Sequence, residues 1–407
     1  IQVANLETST FSGGISGINY GTISNLTVEA YIYAETTTTG EFARYIGGMV
    51  GYNYEGSKLE NCYVSNGEIR DESTIATYMG GFAGINAGSI TLCGFGGNAN
   101  GGISPKITGA YDAGNQVAGG FAAMITSTGS VSQSFANVTI NSRVIGGFAA
   151  YMIGEVSESY VSGMLTGNEV GGFAVHMALT SGSTEGGHII NSYTVASLSA
   201  QNESSKLAGL SVYMRYPAVI EKCYMACSFS GNGEAYYESV TNTREGFVNW
   251  ITSWARPAER LGTINDVVIN EKGAANRTSA IISYGGQNVI YLESSDAENP
   301  LSYSDAGFNT ETIWQIGGPQ DTANTNPNRE PVLIAVEGLH GIVQDYSNGS
   351  TTEEPGTGDE TENPGDSQQP GTGDVTENPE QPATEEPATG TEGSEETTTP
   401  ETGNEAA

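Results

Sequence analysis

The residue types that most often carry out chemistry are scarce in this chain. It has three histidines, His176, His188 and His340, and four cysteines, at positions 62, 93, 223 and 227. There is no H-E-x-x-H sequence, so the residues do not support a zinc peptidase. No Ser, His and Asp set has a spacing that indicates nucleophilic catalysis. We therefore predict no catalytic residue, no metal site and no cofactor.

The cysteines are better explained by structure than by chemistry. Cys223 and Cys227 have the spacing C-x3-C, but no second Cys or His pair lies near them, so zinc is not predicted. Cys62 and Cys223 fall where other repeats have serine, and Cys93 aligns with Cys62, which favours a ladder of small buried side chains. The alternative is a Cys62–Cys93 disulfide, which an oxidising exterior would allow.

The charge of the chain limits its partners. Its 407 residues include 14 Lys+Arg and 47 Asp+Glu, and the formal net charge is −33. An acidic surface repels nucleic acid and anionic lipid, so neither is a predicted partner. No apolar run approaches the ~18 residues of a membrane-spanning helix.

Repeated elements would have to position any site. The sequence GGMVGYN at 47–53 has near copies at 13–19 and 80–86, and related copies begin at 119, 146, 171, 208 and 245. Steps of roughly 25 to 40 residues are typical of a solenoid. Each copy is followed by segments with period-two alternation, such as EVSESYVSGML, which indicate strands. We predict an elongated all-β, β-helix-like solenoid with an inward column at the third motif position: Ile15, Met49, Phe82, Phe121, Phe148, Phe173, Leu210 and Phe247.

These units resemble the GLUG repeats of bacterial cell-surface proteins. GGMVGYNYEGSKLENCYV at 47–64 fits that pattern nearly throughout, and GGFAGINAGSI at 80–90 fits its first half. Residues 307–338 are similar to the segment that closes such repeats. The resemblance implies a β-helix-like solenoid on secreted or wall-attached proteins, including adhesins and the non-catalytic regions of some surface peptidases. It does not imply an activity.

Three regions are predicted. Residues 1–262 form the repeat solenoid, and residues 263–343 form terminal coils and a C-terminal cap. Residues 344–407 contain no Lys or Arg and are rich in Pro, Gly, Thr and Glu, so we expect a disordered acidic stalk. Near its end, TPETG resembles a variant of the sortase signal of Gram-positive surface proteins, which implies covalent attachment to peptidoglycan through Thr399, Pro400, Glu401, Thr402 and Gly403.

The sixth motif position supplies the candidate binding residues. If positions three, five and seven point inward, position six points outward. In four successive units it holds Tyr151, His176, Tyr213 and Trp250, and Trp254 and Arg256 follow. Such a stripe suits stacking on a host glycan or contact with a surface protein. The alternative is that the rings only cover the sheet or a packed loop.

The sequence therefore predicts a non-enzymatic, extracellular adhesion or binding module, displayed at the bacterial surface or cell wall by its stalk. Solenoid enzymes that act on polysaccharide need calcium-binding Asp clusters or a carboxylate pair across a cleft, and neither is evident. The alternative function is the accessory repeat region of a larger secreted or wall-bound enzyme, either a peptidase or a carbohydrate-active enzyme.

Overall fold

In a computed structural model of the chain, the described residues form strands and no helical element. The structure describes residues 2–4, 11–34, 43–71, 76–96, 105–109, 116–178, 184–202, 205–214, 216–230, 248–251, 263–270, 287–292, 303, 307–315 and 332–333. Three large sheets contain only parallel pairs, which confirms the predicted β-helix-like fold.

Each turn of the solenoid, which we call a rung, passes through the three sheets in order. Sheet 1 has seven strands: Phe11–Gly13, Arg44–Gly47, Thr77–Gly80, Gln116–Gly119, Val144–Gly146, Glu169–Gly171 and Lys206–Ala208. Sheet 2 has eight strands: Ser16–Asn19, Val50–Asn53, Ala83–Asn86, Ala122–Ile125, Ala149–Met152, Ala174–His176, Ser211–Met214 and Val248–Ile251.

Sheet 3 completes each rung. Its 18 strands are Gln2–Ala4, Thr22–Ala34, Lys58–Asp71, Ser89–Thr91, Gly94–Phe95, Lys106–Gly109, Ser130–Ser132, Phe135–Asn141, Glu155–Ser157, Tyr160–Gly167, His188–Ile190, Tyr193–Thr194, Ser197–Ala200, Val219–Glu221, Tyr224–Met225, Ser228–Ser230, Thr263–Asn270 and Gln287–Leu292. A separate antiparallel pair joins Trp314–Gln315 to Val332–Leu333.

The repeat sets the register between rungs. The first glycine of the motif at Gly47 pairs with Gly13 on one side and Gly80 on the other. The same pairing continues from Gly119 to Gly146. Corresponding motif positions therefore lie above one another, as a stack of homologous units requires.

The glycine pair makes a sharp corner between sheets 1 and 2. A Cβ on Gly119 would overlap the carbonyl of Ala122 in its own rung, and a Cβ on Gly120 would overlap the carbonyl of Gly147 in the next rung. Among the described residues, the motif glycines do not have positive φ, and the glycines that do are Gly56, Gly67, Gly96, Gly163 and Gly307. Glycine is needed here because backbone approaches backbone closely.

The third motif position forms the predicted interior column. Phe82, Phe121, Phe148 and Phe173 are fully buried, and adjacent rings stack with centroids 4.8–4.9 Å apart. Among the described members, Ile15 in the first rung is the exception and is 38% exposed, and Phe247 lies outside the described residues.

The prediction that position five also faces the main core is wrong. Val175 and Val212 pack with Ala208 in a small separate cluster. A Cβ on Gly51 would lie 2.5 Å from the backbone nitrogen of Ser12, in sheet 1. Position five is buried against sheet 1 because the chain has just turned the corner, whereas position four, such as Ala122, faces the main core.

Two polar ladders run through the interior. The Asn53 amide donates to the Asn86 side-chain oxygen at 2.8 Å and accepts from Asn19 at 2.9 Å. In sheet 3, Ser134 and Ser159 donate to carbonyls two residues earlier, and their hydroxyls accept from backbone N–H groups of the preceding rung. These bonds satisfy polar groups that burial would otherwise penalise.

A second aromatic cluster lies on the outer side of sheet 3. The rings of Tyr160 and Tyr193 stack at 4.9 Å, and Trp314 lies 6.0 Å from Tyr193. Tyr303 lies 6.0 Å from Tyr224. The described residues between 303 and 333 therefore cover this side of sheet 3. The predicted domain boundaries stay predictions.

Candidate binding face

The outer surfaces of sheets 1 and 2 meet along one face of the solenoid, which we call the aromatic face. Position six contributes one column of side chains from sheet 2, and every described member is half-buried: Ile18, Tyr52, Ile85, Met124, Tyr151, His176 and Tyr213. The residue two before the glycine pair contributes the facing column from sheet 1: Phe11, Tyr45, Tyr78, Val117, Val144, Glu169 and Lys206. The glycine corner brings the two columns together.

The aromatic rings of this face form a continuous series. In order of contact, the rings are Tyr20, Tyr54, Tyr52, Phe11, Tyr45, Tyr78, Tyr151, His176 and Tyr213, with centroids of neighbours 4.6–6.1 Å apart. These separations lie in the range of favourable aromatic pairs. The series extends from the first rung to the seventh, because the rungs are in register.

A charged cluster surrounds Tyr213, the last ring of the series among the residues whose side chains the structure describes. The Tyr213 hydroxyl donates to Glu169 Oε1 at 2.9 Å and accepts a hydrogen bond from Lys206, whose Nζ lies 5.0 Å from the Tyr213 ring centroid. Burial alone would lower the pKa of Lys206, but its hydrogen bond to Tyr213 and the charge of Glu169 outweigh this, so its pKa is raised. Burial is also the main reason that the pKa of Tyr213 is raised. At neutral pH the lysine is charged and the phenol is neutral.

The two ends of the series offer different surfaces to a ligand. His176 is stacked between Tyr151 and Tyr213 with planes 7° and 12° apart, so its ring faces are covered and its edge points outward. Tyr20 and Tyr54 are 70% and 43% exposed and meet at a tilt of 46°. Stacking of a ligand on a ring face is therefore best supported at Tyr20 and Tyr54.

The structure places the predicted stripe residues as follows. Tyr151, His176 and Tyr213 stack in one column, and the backbone of Trp250 pairs with Tyr213 in the same register. Trp254, Arg256 and the sorting motif at 399–403 lie outside the described residues. The role of all these residues in binding stays a prediction.

The facing column in sheet 1 and the exposed pair Tyr20 and Tyr54 were not predicted from the sequence. Phe11, Tyr45 and Tyr78 each stand two residues before a glycine pair, so the alternation of sheet 1 could have identified them. Tyr20 and Tyr54 each follow the asparagine that ends the motif, and their shared position was a usable signal.

The cysteines are buried free thiols in this structure. Burial raises the pKa of Cys223 to about 12 and also raises that of Cys93. The backbone N–H of Cys62 donates to Cys93 Sγ at 3.4 Å, as serines do elsewhere in the ladder. The hydrogen bond with Cys93 lowers the pKa of Cys62 to about 7. All four thiols are buried away from solvent, and Cys62, Cys93 and Cys223 fit the predicted structural ladder.

The described part of the chain offers no obvious metal centre or membrane helix. It contains no group of three or more His, Cys, Asp or Glu side chains arranged to hold a metal ion. No helix long and apolar enough to cross a bilayer occurs in that part.

The fold and the aligned columns define a parallel β-helix-like repeat protein. Residues 42–70 match the family model described as the GLUG motif. The match covers one rung of the chain, and this motif is found in repeat regions of surface and secreted proteins. No curated protein and no solved structure matches the chain.

Proposed function

We propose that the chain is a non-enzymatic adhesion module of a bacterial surface protein, and that it binds a neutral glycan along its aromatic face. The observation that carries this proposal is the continuous ring series from Tyr20 to Tyr213. Rings held on paired strands lose little conformational entropy on binding, which favours capture of a ligand.

A sugar has an apolar face of C–H groups that packs on an aromatic ring face, and hydroxyls that form hydrogen bonds. Tyr20 and Tyr54 supply exposed ring surface at one end. Glu169, Lys206 and the Tyr213 hydroxyl supply donors and acceptors at the other. The net charge of −33 disfavours sulfated or otherwise anionic glycans, which is why the proposal specifies a neutral one.

Binding of the full chain to neutral oligosaccharides released from mucin tests the proposal. The Tyr20→Ala, Tyr54→Ala double variant should bind at least about tenfold more weakly, equivalent to about 1.4 kcal/mol. Tyr216→Ala is the matched control, because Tyr216 is 54% exposed and makes no ring pair in the series. Its affinity should not change.

The outcome that contradicts the proposal is equal binding by the double variant and the wild type, with both melting at the same temperature. Reproducible degradation products from the glycans would contradict the non-enzymatic assignment. Sulfated glycans provide the charge control and should bind more weakly than neutral ones.

Attachment to peptidoglycan through residues 399–403 is a separate proposal, supported only by the resemblance of TPETG to a sorting signal. In cells that produce the whole protein, it should stay with the wall after boiling in detergent. Complete release by detergent would contradict covalent attachment.

A further inference from the structure

The side chains of the aromatic face repeat at the spacing of the rungs. In successive rungs, the ring centroids of Tyr45 and Tyr78 lie 5.0 Å apart. The same distance separates Tyr151 from His176, and His176 lies 4.6 Å from Tyr213. This spacing follows from the strand pairing, which places equivalent positions of neighbouring rungs in register. A ligand that lies along the solenoid axis therefore meets the next side chain of each column at every rung.

Four phenol hydroxyls on this face have no hydrogen-bond partner among the described residues. The side chains that carry them are all half-buried: Tyr45, Tyr52, Tyr78 and Tyr151. Tyrosines on sheet 3 are different, because Tyr33 donates to Glu68 at 3.2 Å and Tyr63 donates to Asn61 at 3.1 Å. The hydroxyls of the aromatic face are thus available to a ligand.

These hydroxyls are neutral groups that can both donate and accept. Burial is the main reason that the pKa values of Tyr45, Tyr52 and Tyr151 are raised, so these phenols keep their protons at neutral pH. Farther along the same face, Glu169 and Lys206 add a carboxylate and an ammonium group 3.5 Å apart. The face therefore offers hydrogen-bonding groups in several rungs, as a chain of sugar hydroxyls requires.

An extended β-1,4-linked sugar chain fits this repeat. Each of its residues advances the chain by roughly the height of one rung, about 4.8 Å, and directs hydroxyls to its edges. An α-1,4-linked chain coils instead and does not keep in step with the rungs. One rung presents the apolar pair Val117 and Met124, and there Tyr78 lies 6.1 Å from Tyr151 across it. The C–H groups of a sugar suit that apolar rung.

We propose that the aromatic face binds an extended, neutral, β-1,4-linked polysaccharide that runs along the solenoid axis from the rung of Tyr45 to the rung of Tyr213. This inference rests on the proposed function and specifies the class of its glycan. The hydroxyls of Tyr45, Tyr78 and Tyr151 bond to successive parts of the chain. Because the contacts repeat along the axis, affinity rises with the length of the glycan.

Linear β-1,4-linked hexasaccharides of glucose, mannose and N-acetylglucosamine provide the probes, with isothermal titration calorimetry on the full chain as the measurement. Maltohexaose is the matched control, because it has the composition of cellohexaose but α-1,4 linkages. We expect at least one β-1,4-linked hexasaccharide to bind at least about tenfold more tightly than both its own disaccharide and maltohexaose.

The chain supplies a pair of variants that differ only in which hydroxyls are lost. Tyr78→Phe combined with Tyr151→Phe removes two hydroxyls from the aromatic face and keeps both rings, so hexasaccharide binding should weaken at least about tenfold. Tyr33→Phe removes a hydroxyl from sheet 3 and should bind like the wild type. Circular dichroism and thermal melting should show that both variants fold.

Equal affinity for a hexasaccharide and its disaccharide would overturn the inference, and so would unchanged binding by the folded double variant. If mucin oligosaccharides bind and no β-1,4-linked hexasaccharide does, the extended-chain inference is wrong while the proposed function stands. If neither kind of glycan binds, both are wrong.

Discussion

The rings of Phe148 and Phe173 lie nearly parallel, with centroids 4.9 Å apart and planes 10° from each other. Both occupy the third motif position of adjacent rungs, and both are fully buried. This relationship repeats from Phe82 to Phe173, so a column of stacked aromatic rings runs through a core that is otherwise largely aliphatic. The register between rungs therefore aligns both the core residues and the rings of the outer aromatic face.

Truncation of Phe148 should strongly destabilise the solenoid. Phe148→Ala removes a ring that stacks on both Phe121 and Phe173 and leaves a cavity, so it should cost about 3–5 kcal/mol in the free energy of unfolding. Denaturant unfolding measures this. Met164→Ala, at an exposed site, should stay within about 0.5 kcal/mol of the wild type. A Phe148→Ala value as small as that of the control would contradict the interior column.

The glycine corner should tolerate no side chain at its second position. Gly120→Ala would drive a Cβ into the carbonyl of Gly147, so the free energy of unfolding should fall by more than about 1 kcal/mol. Gly21→Ala is the control, because a Cβ there meets no atom within 4 Å. Equal melting temperatures for the two variants would show that the corner is not a close backbone approach.

The asparagine ladder should depend on its middle member. Asn53→Leu keeps the branched shape of the side chain but leaves the Asn86 side-chain oxygen without its donor, so it should cost about 1–3 kcal/mol. Met152→Leu, at the same motif position in an apolar rung, should cost less than about 1.5 kcal/mol. Thermal unfolding of both variants compares them. If Met152→Leu lowers the melting temperature more than Asn53→Leu does, the asparagine ladder does not stabilise the fold.

The thiols should be free and protected. A thiol reagent should modify none of the four cysteines in the native chain and all of them after denaturation without a reducing agent. Mass spectrometry counts the modified residues. A pair that reacts only after reduction, at Cys62 and Cys93, would instead establish the disulfide alternative.

Much of the fold was predictable because the motif recurs with a constant internal order. The spacing of the glycine pairs predicted the rungs. The motif position shared by Phe121, Phe148 and Phe173 predicted the core. Position five was not predictable from alternation, because the corner at the glycine pair breaks the period of two before Val175 and Val212. Local periodicity cannot show where backbone crowding redirects a side chain.

The aromatic face was only partly predictable, for a similar reason. Tyr151, His176 and Tyr213 share one motif position, so one column was visible in the sequence. The contact of Tyr78 with Tyr151, at 6.1 Å, joins different motif positions in different rungs. Such a contact depends on the angle between sheets 1 and 2, which no single repeat encodes on its own.

Hydroxyl-radical footprinting of the full chain, with and without neutral mucin oligosaccharides, tests the proposed binding face most directly. Tyr20 and Tyr54 are exposed in the free chain and should be protected when the glycan binds, while Tyr216, whose exposed fraction lies between theirs, should be modified to the same extent in both samples. Protection of Tyr20 and Tyr54 without protection of Tyr216 is the result that the account predicts. Unchanged modification of both tyrosines at a saturating glycan concentration would contradict it.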